Sequence, residues 1–140
     1  MAVYPSTPGG IAIDKASSKM EEVTLRIASN LSAPGLTRSR LATIKTRLEP
    51  RYDDVVLVAS ELVTNAVRYG SSEGIDLKLT NRGGCIRVEV TDHGTGFSID
   101  DPRGDGLGLN IVERLADRWG MKGGQHKFTV WAEISTSPPG

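Results

Sequence analysis

The chain has 140 residues with 17 basic and 17 acidic side chains, a length that suits one domain with its own core and a balance that gives no electrostatic case for nucleic acid or an anionic membrane. Its one cysteine, Cys85, excludes an internal disulfide and fits a reducing compartment. No apolar run approaches the ~20 residues of a membrane span, and the first residues lack the charged start and apolar stretch of a signal peptide, so a cytoplasmic location is expected.

Residues 1–20 mix Pro, Gly and Ser without periodicity and are expected to form a flexible arm; 136–140 read as a loose tail, with the folded domain over 21–135. "EEVTLRIAS" alternates through Val23, Leu25 and Ile27, which predicts a strand with one buried face. "APGLTRSRLATIKTRL" places Leu36, Leu41, Ile44 and Leu48 near helical spacing, with Pro34 suited to a helix start and Pro50 breaking the chain. "YDDVVLVASELVTNAVRYG" is the strongest helix, with Asp53 or Asp54 as cap and Gly70 as stop. "GIDLKLT" and "CIRVEVT" predict strands joined by "NRGG", a hairpin turn, with Cys85 as a small buried strand residue. A glycine-rich stretch follows, then the helix "LGLNIVERLAD" and two further strands, "RWGMKGG" and "KFTVWAEI". This order predicts an α+β two-layer sandwich, a mixed sheet with helices on one face.

In the strongest helix, Val55, Val56, Ala59, Leu62, Val63, Ala66 and Val67 form an apolar face. Ser60, Glu61, Thr64, Asn65 and Arg68 form a polar one. Glu61 and Asn65 stand one turn apart on a single stripe. The plain reading is a solvated face. Against it, Asn is a poor choice for an exposed helix surface, and a Glu one turn from an amide could serve an activated hydroxyl and a metal. Oxygen ligands suit Mg²⁺, which takes few protein ligands, and the carboxylate could accept a hydroxyl proton.

The stretch "DHGTGFSIDDPRGDGLGLNIVERL" begins with Asp92 at a strand end, where a carboxylate can accept a hydrogen bond from an amino group such as that of adenine. Gly94 and Gly96 would let a flat ring lie against the backbone. Gly104, Gly106 and Gly108 lead into a helix, whose free N–H groups suit phosphate. A nucleotide, base at one end and phosphates at the other, would account for the glycines. The chain lacks a P-loop sequence, and a dinucleotide fingerprint would need glycine where Leu109 stands.

In combination, "ELVTNAV", "DHGTG" and "GDGLGLNIV" resemble the N box and the two glycine boxes of the GHKL (Bergerat-fold) ATPase superfamily, over roughly Glu22 to Ile134. The short segment between the glycine boxes and the ending "LADRWG…FTVWAEI" look most like bacterial anti-sigma-factor serine kinases, actinobacterial ones in particular. The resemblance implies ATP and Mg²⁺ as ligands, Asn65 on Mg²⁺, Glu61 as catalytic base and Asp92 on the adenine amino group. It further implies Gly94 and Gly96 shaping the base pocket, and Gly104, Gly106, Leu107 and Gly108 around the phosphates. Residues 97–105 would be a lid in which Arg103 contacts phosphate. The activity implied is transfer of phosphate from ATP to a serine of an antagonist protein, with a sigma factor as second partner. Homodimerisation is common in such families. Alternatives are a binding module that uses ATP without catalysis, or a histidine-kinase-type catalytic domain acting on a separate phosphoacceptor.

Two positions depart from the pattern. Tyr69 stands where many relatives have His, and Asp105 puts a carboxylate beside the expected phosphate site, which opposes anion binding. His93 and His126 read as ordinary polar residues, Trp119 and Trp131 as core or sheet packing, and Arg68 as a structural or partner contact.

Overall fold

The structure is a computed structural model that describes residues 21–70, 73–93, 109–123 and 127–136. The expected arm, all of the tail but Thr136, and His126 lie outside the described residues. The elements are β1 (Glu21–Ile27), α1 (Ala33–Ala42), α2 (Lys45–Leu48), α3 (Tyr52–Tyr69), β2 (Ile75–Asn81), β3 (Cys85–Asp92), α4 (Leu109–Leu115), β4 (Arg118–Gly123) and β5 (Phe128–Ser135). The strands form one sheet in the order β1-β2-β3-β5-β4.

The two-layer α+β architecture is the expected one, but every pairing in the sheet is antiparallel where a mixed sheet was expected. The reason is the place of β5. The connection through α4 joins β3 to β4, which run in the same direction, and β5 inserts between them. Each of the two then meets a strand of opposite sense. The β2–β3 hairpin forms as its sequence predicts, with Gly83 at φ 49° and Gly84 at φ 111°, a backbone that side-chain-bearing residues rarely adopt.

Alternation along the strands sends Ile75, Leu77 and Leu79 of β2 and Ile86, Val88 and Val90 of β3 to the helix side, where all are buried. They meet Val55, Val58, Ala59, Leu62, Val63 and Ala66 of α3. Ser60 is buried as well, although it reads as polar-face: its hydroxyl donates to the Leu57 carbonyl at 3.0 Å, and Thr64 donates to Ser60 at 2.8 Å. Folding back onto the helix satisfies both hydroxyls without solvent.

The helix expected over Ala33–Leu48 breaks in two. The Thr43 hydroxyl donates to the Arg40 carbonyl at 2.6 Å, and the Thr43 and Ile44 amides bond three residues back, which tightens the last turn and ends α1. The buried face of α1 runs through Ala33, Thr37 and Leu41, so Thr37 rather than Leu36 faces the core, with its hydroxyl on the Ala33 carbonyl. At the start of α3 neither aspartate caps. Arg51 is the N-cap residue, and its guanidinium bonds Asp54 and the carbonyls of Ser135 and Leu115. One side chain thus ties the start of α3 to the ends of β5 and α4. Asp53 and Asp54 in the first turn still favour the helix through its dipole.

Among the described residues no helix covers the other sheet face, which is rich in charged and hydroxyl side chains. Arg87 lies over the Trp131 ring at 4.2 Å and donates to Glu89 and Glu133, while Arg118 donates to Glu133 from the far side. Trp131 therefore packs on the open face and Trp119 against the core. Cys85, at the start of β3, is half-buried rather than buried, and burial, then the Glu133 charge, push its thiol pKa up. Burial pushes the Glu133 carboxyl up too, but hydrogen bonds from Arg87 and Arg118 outweigh it and hold Glu133 below its ordinary 4.5. A carboxylate favoured in the fold contributes stability above that ordinary value and loses it as pH falls through the lower folded one. Glu133→Gln is expected to cost about 1 kcal/mol at pH 7, since Arg118 is largely exposed and adds little. The cost should shrink below pH 4.5, as urea unfolding at the two pH values would read.

Candidate functional site

The buried surface of the domain is apolar apart from six described side chains, and four of those are hydroxyls: Thr37, Ser60, Thr80 and Thr129. The other two are Asn65, 1% exposed, and Asp92, 2% exposed. Asp92 is the one ionisable side chain in the buried class among the described residues. Withdrawing a carboxylate from water costs several kcal/mol before compensation. Such a group is a poor choice for stability and a good candidate for function.

Alternation along β3 puts Asp92 on the helix side, following Val88 and Val90. It is also the last residue of the strand. Across from it, α3 ends at Gly70, whose amide donates to the Ala66 carbonyl at 2.9 Å. Gly70 stops the helix as expected, but not with the left-handed backbone usual for a glycine stop: its φ is −94°. The requirement is space. A Cβ at position 70 would lie 2.5 Å from the Ala66 carbonyl oxygen and 2.7 Å from Cγ of Asp92. The Asp92 carboxyl group thus abuts the last turn of α3, next to the residue that follows Asn65.

Glu61, one turn before Asn65, is half-buried, while Arg68 is exposed. Glu61 and Asn65 were expected to share a helix stripe, and the helix runs unbroken through both. Of the two, only Asn65 is enclosed, so the plain reading of a solvated polar face fails there. Among the described residues no three His, Cys, Asp or Glu side chains gather around a common point. The donors that do lie here, a buried amide and a half-buried carboxylate, are hard oxygen groups and few. That set fits Mg²⁺, which takes most of its ligands from water and phosphate.

The remaining expected site residues, Gly94, Gly96, Arg103, Gly104, Gly106, Leu107 and Gly108, lie outside the described residues, as does Asp105. Their two ends are placed. β3 ends at Asp92, against the last turn of α3, and Leu109 is buried with Val112 where α4 packs on α3. Both ends therefore flank the helix that carries Glu61 and Asn65. Sequence reading missed two neighbours, Arg26 and Asp76. Asp76, opposite Thr91, bonds Arg26 at 3.1 Å and His93 at 3.2 Å on the open face of the sheet, one rung before Asp92. Nothing in an alternating strand marks one polar position above the next, and the strand register was needed to find them.

Residues 51–140 match the family model for the histidine kinase-, DNA gyrase B- and HSP90-like ATPases. Serine-protein kinase RsbW of Staphylococcus aureus is 27% identical over 124 residues, covering 71% of this chain and 78% of that protein. Among solved structures, the RsbU and RsbW domains of Rv1364c from Mycobacterium tuberculosis align with a TM-score of 0.64 at 20% identity, over 82% of this chain. This chain spans about a third of that larger one, 32%. The Acinetobacter baumannii histidine kinase AdeS aligns with a TM-score of 0.54 at 14% identity, over 83% of this chain and 68% of its own. At these identities the two structures establish the fold.

The contact at Gly70 can be tested directly. Gly70→Ala should destabilise the domain by about 1–3 kcal/mol through overpacking against Asp92 and the helix carbonyl, read as a lower urea midpoint. Asp92→Ala in the same chain should relieve part of that cost, so the two changes should not add.

Proposed function

Because the chain belongs to the histidine kinase-, DNA gyrase B- and HSP90-like ATPase family, we propose that it binds Mg-ATP and transfers the γ-phosphoryl group to a serine of a partner protein. The partner would be an antagonist of the anti-anti-sigma kind, and the chain would hold a sigma factor when that antagonist is phosphorylated. Likeness to a serine-protein kinase over most of both chains supports the choice of serine. The observation that carries the reading is the enclosure of Asn65 and Asp92 on adjoining ends of α3 and β3. Both stand at one edge of an otherwise apolar core, where an enclosed amide and carboxylate are candidates for a ligand site.

In this reading Asp92 accepts a hydrogen bond from the adenine amino group, with Gly94 and Gly96 beneath the ring. Gly104, Gly106, Leu107 and Gly108 surround the phosphates, and Arg103 offsets their charge. Asn65 would hold Mg²⁺ through its amide oxygen. The metal, when bound, neutralises phosphate charge. Glu61 accepts the proton of the serine hydroxyl as its oxygen bonds to the γ-phosphorus. The bond to the β-phosphate oxygen breaks and ADP leaves with that electron pair. Phosphoryl transfer of this kind depends mainly on positioning and charge compensation, which suits a site whose fixed groups sit on a helix and a strand end.

Titration calorimetry with ATP, with and without Mg²⁺, tests the binding half. Wild type should bind with metal dependence, and Asn65→Ala should weaken binding and reduce that dependence. Glu61→Gln should retain ATP yet lower transfer by about 100-fold or more. Transferred radiolabel should be acid-stable, as a phosphoserine is, and an acid-labile product would point to histidine instead. Absence of ATP binding by folded wild-type protein would overturn the proposal.

A further inference from the structure

Asp92 lies at a weak point of the sheet. On its β5 side the ladder runs to the end of the strand, with Asp92 opposite Phe128. On its β2 side the pairing stops one residue earlier, at Asp76 opposite Thr91. Beyond that rung the described register pairs β3 with β5 alone, and strand ends are where a sheet opens first. The carboxylate proposed to read the adenine amino group sits on this half-supported residue.

Side chains continue the pairing where the backbone stops. His93, the first residue after the strand, reaches the open face, where it meets Asp76. Its Nε2 lies 3.2 Å from Oδ2 of Asp76. A carboxylate only accepts, so Nε2–H must be the donor. Asp76 is in turn fixed by Arg26, its direct cross-strand partner on β1, whose Nη1 donates to Oδ1 at 3.1 Å and to Oδ2 at 3.4 Å. Three strands are thus linked along one diagonal to the residue that leaves β3. Arg26 is mostly exposed, 60%, so the cluster adds little to global stability. Its effect is local.

We propose that Asp76 is a positioning residue for nucleotide recognition: through His93 it locks the end of β3 so that Asp92 faces the base. This inference rests on the Mg-ATP reading above. Asp92 touches the ligand, and Asp76 and His93 act on the other side of the sheet without touching it. Loss of the link should therefore cost recognition of the amino group and leave the phosphate-borne part of binding unchanged.

The test compares ATP with purine riboside triphosphate, which lacks the 6-amino group, by calorimetric titration in Mg²⁺ on the full chain. Asp76→Ala and His93→Ala should each weaken ATP about five- to ten-fold, the scale of one ordinary hydrogen bond. Affinity for the analogue should not change. His93→Gln, which keeps an N–H donor, should recover most of the loss, and in an Asp92→Asn background the Asp76→Ala effect should vanish. Unchanged ATP affinity in both variants would overturn the inference and leave the Mg-ATP reading standing. Equal losses for ATP and the analogue would also overturn it, since they would mark general loosening. Failure of wild type to bind either nucleotide would overturn both. Should Asp76→Ala unfold, the His93→Ala and His93→Gln pair decides by the same criteria.

Discussion

The close approach of Asp92 to the last turn of α3 is the constraint around which the site is built. It requires three things of the sequence. β3 must end on the helix face, α3 must stop at a residue without a side chain, and the two must be pressed together by the apolar layer between them. Gly70 supplies the second, and the valines, leucines and isoleucines of α3, β2 and β3 supply the third. The core here acts as a positioning device: α3 lies along β2 and β3 because its stripe from Val55 to Ala66 has nowhere else to be buried.

The two faces of the sheet do different work. The helix face is apolar until its edge, where Asn65 and Asp92 enter it. The open face is held by charge-assisted hydrogen bonds and stacking, as around Arg87, Trp131 and Glu133. Such contacts set strand geometry without needing a second layer. A residue on the open face shares its backbone with the residues on the other side, which is the basis of the role proposed for the Asp76–His93 contact.

The placement of Arg51 shows how a helix end can be secured without a capping side chain from Ser, Thr, Asp or Asn. Its guanidinium joins the first turn of α3 to carbonyls at the ends of α4 and β5. The end of α3 proposed to serve the ligand and the end that is clamped are thus opposite. In the sheet, β5 lies between β3 and β4, so the two strands joined through α4 each meet a strand of opposite sense.

The sequence by itself determined the elements and their order, because alternation, helical periodicity and the Gly83–Gly84 turn are local properties. It also marked Glu61, Asn65 and Asp92, since a familiar motif keeps its residues at fixed spacing along the chain. It did not determine that α1 ends at Thr43, where a side-chain bond to Arg40 competes with the helix ladder, nor that Thr37 is buried in place of Leu36. Only the tertiary structure decided which strands are neighbours, that all run antiparallel, and that Arg26, Asp76 and His93 meet on the open face, one rung before Asp92. Those contacts join residues about fifty and seventeen positions apart. Pairing at that distance depends on strand register, which burial of the whole apolar face selects and no short stretch of chain encodes.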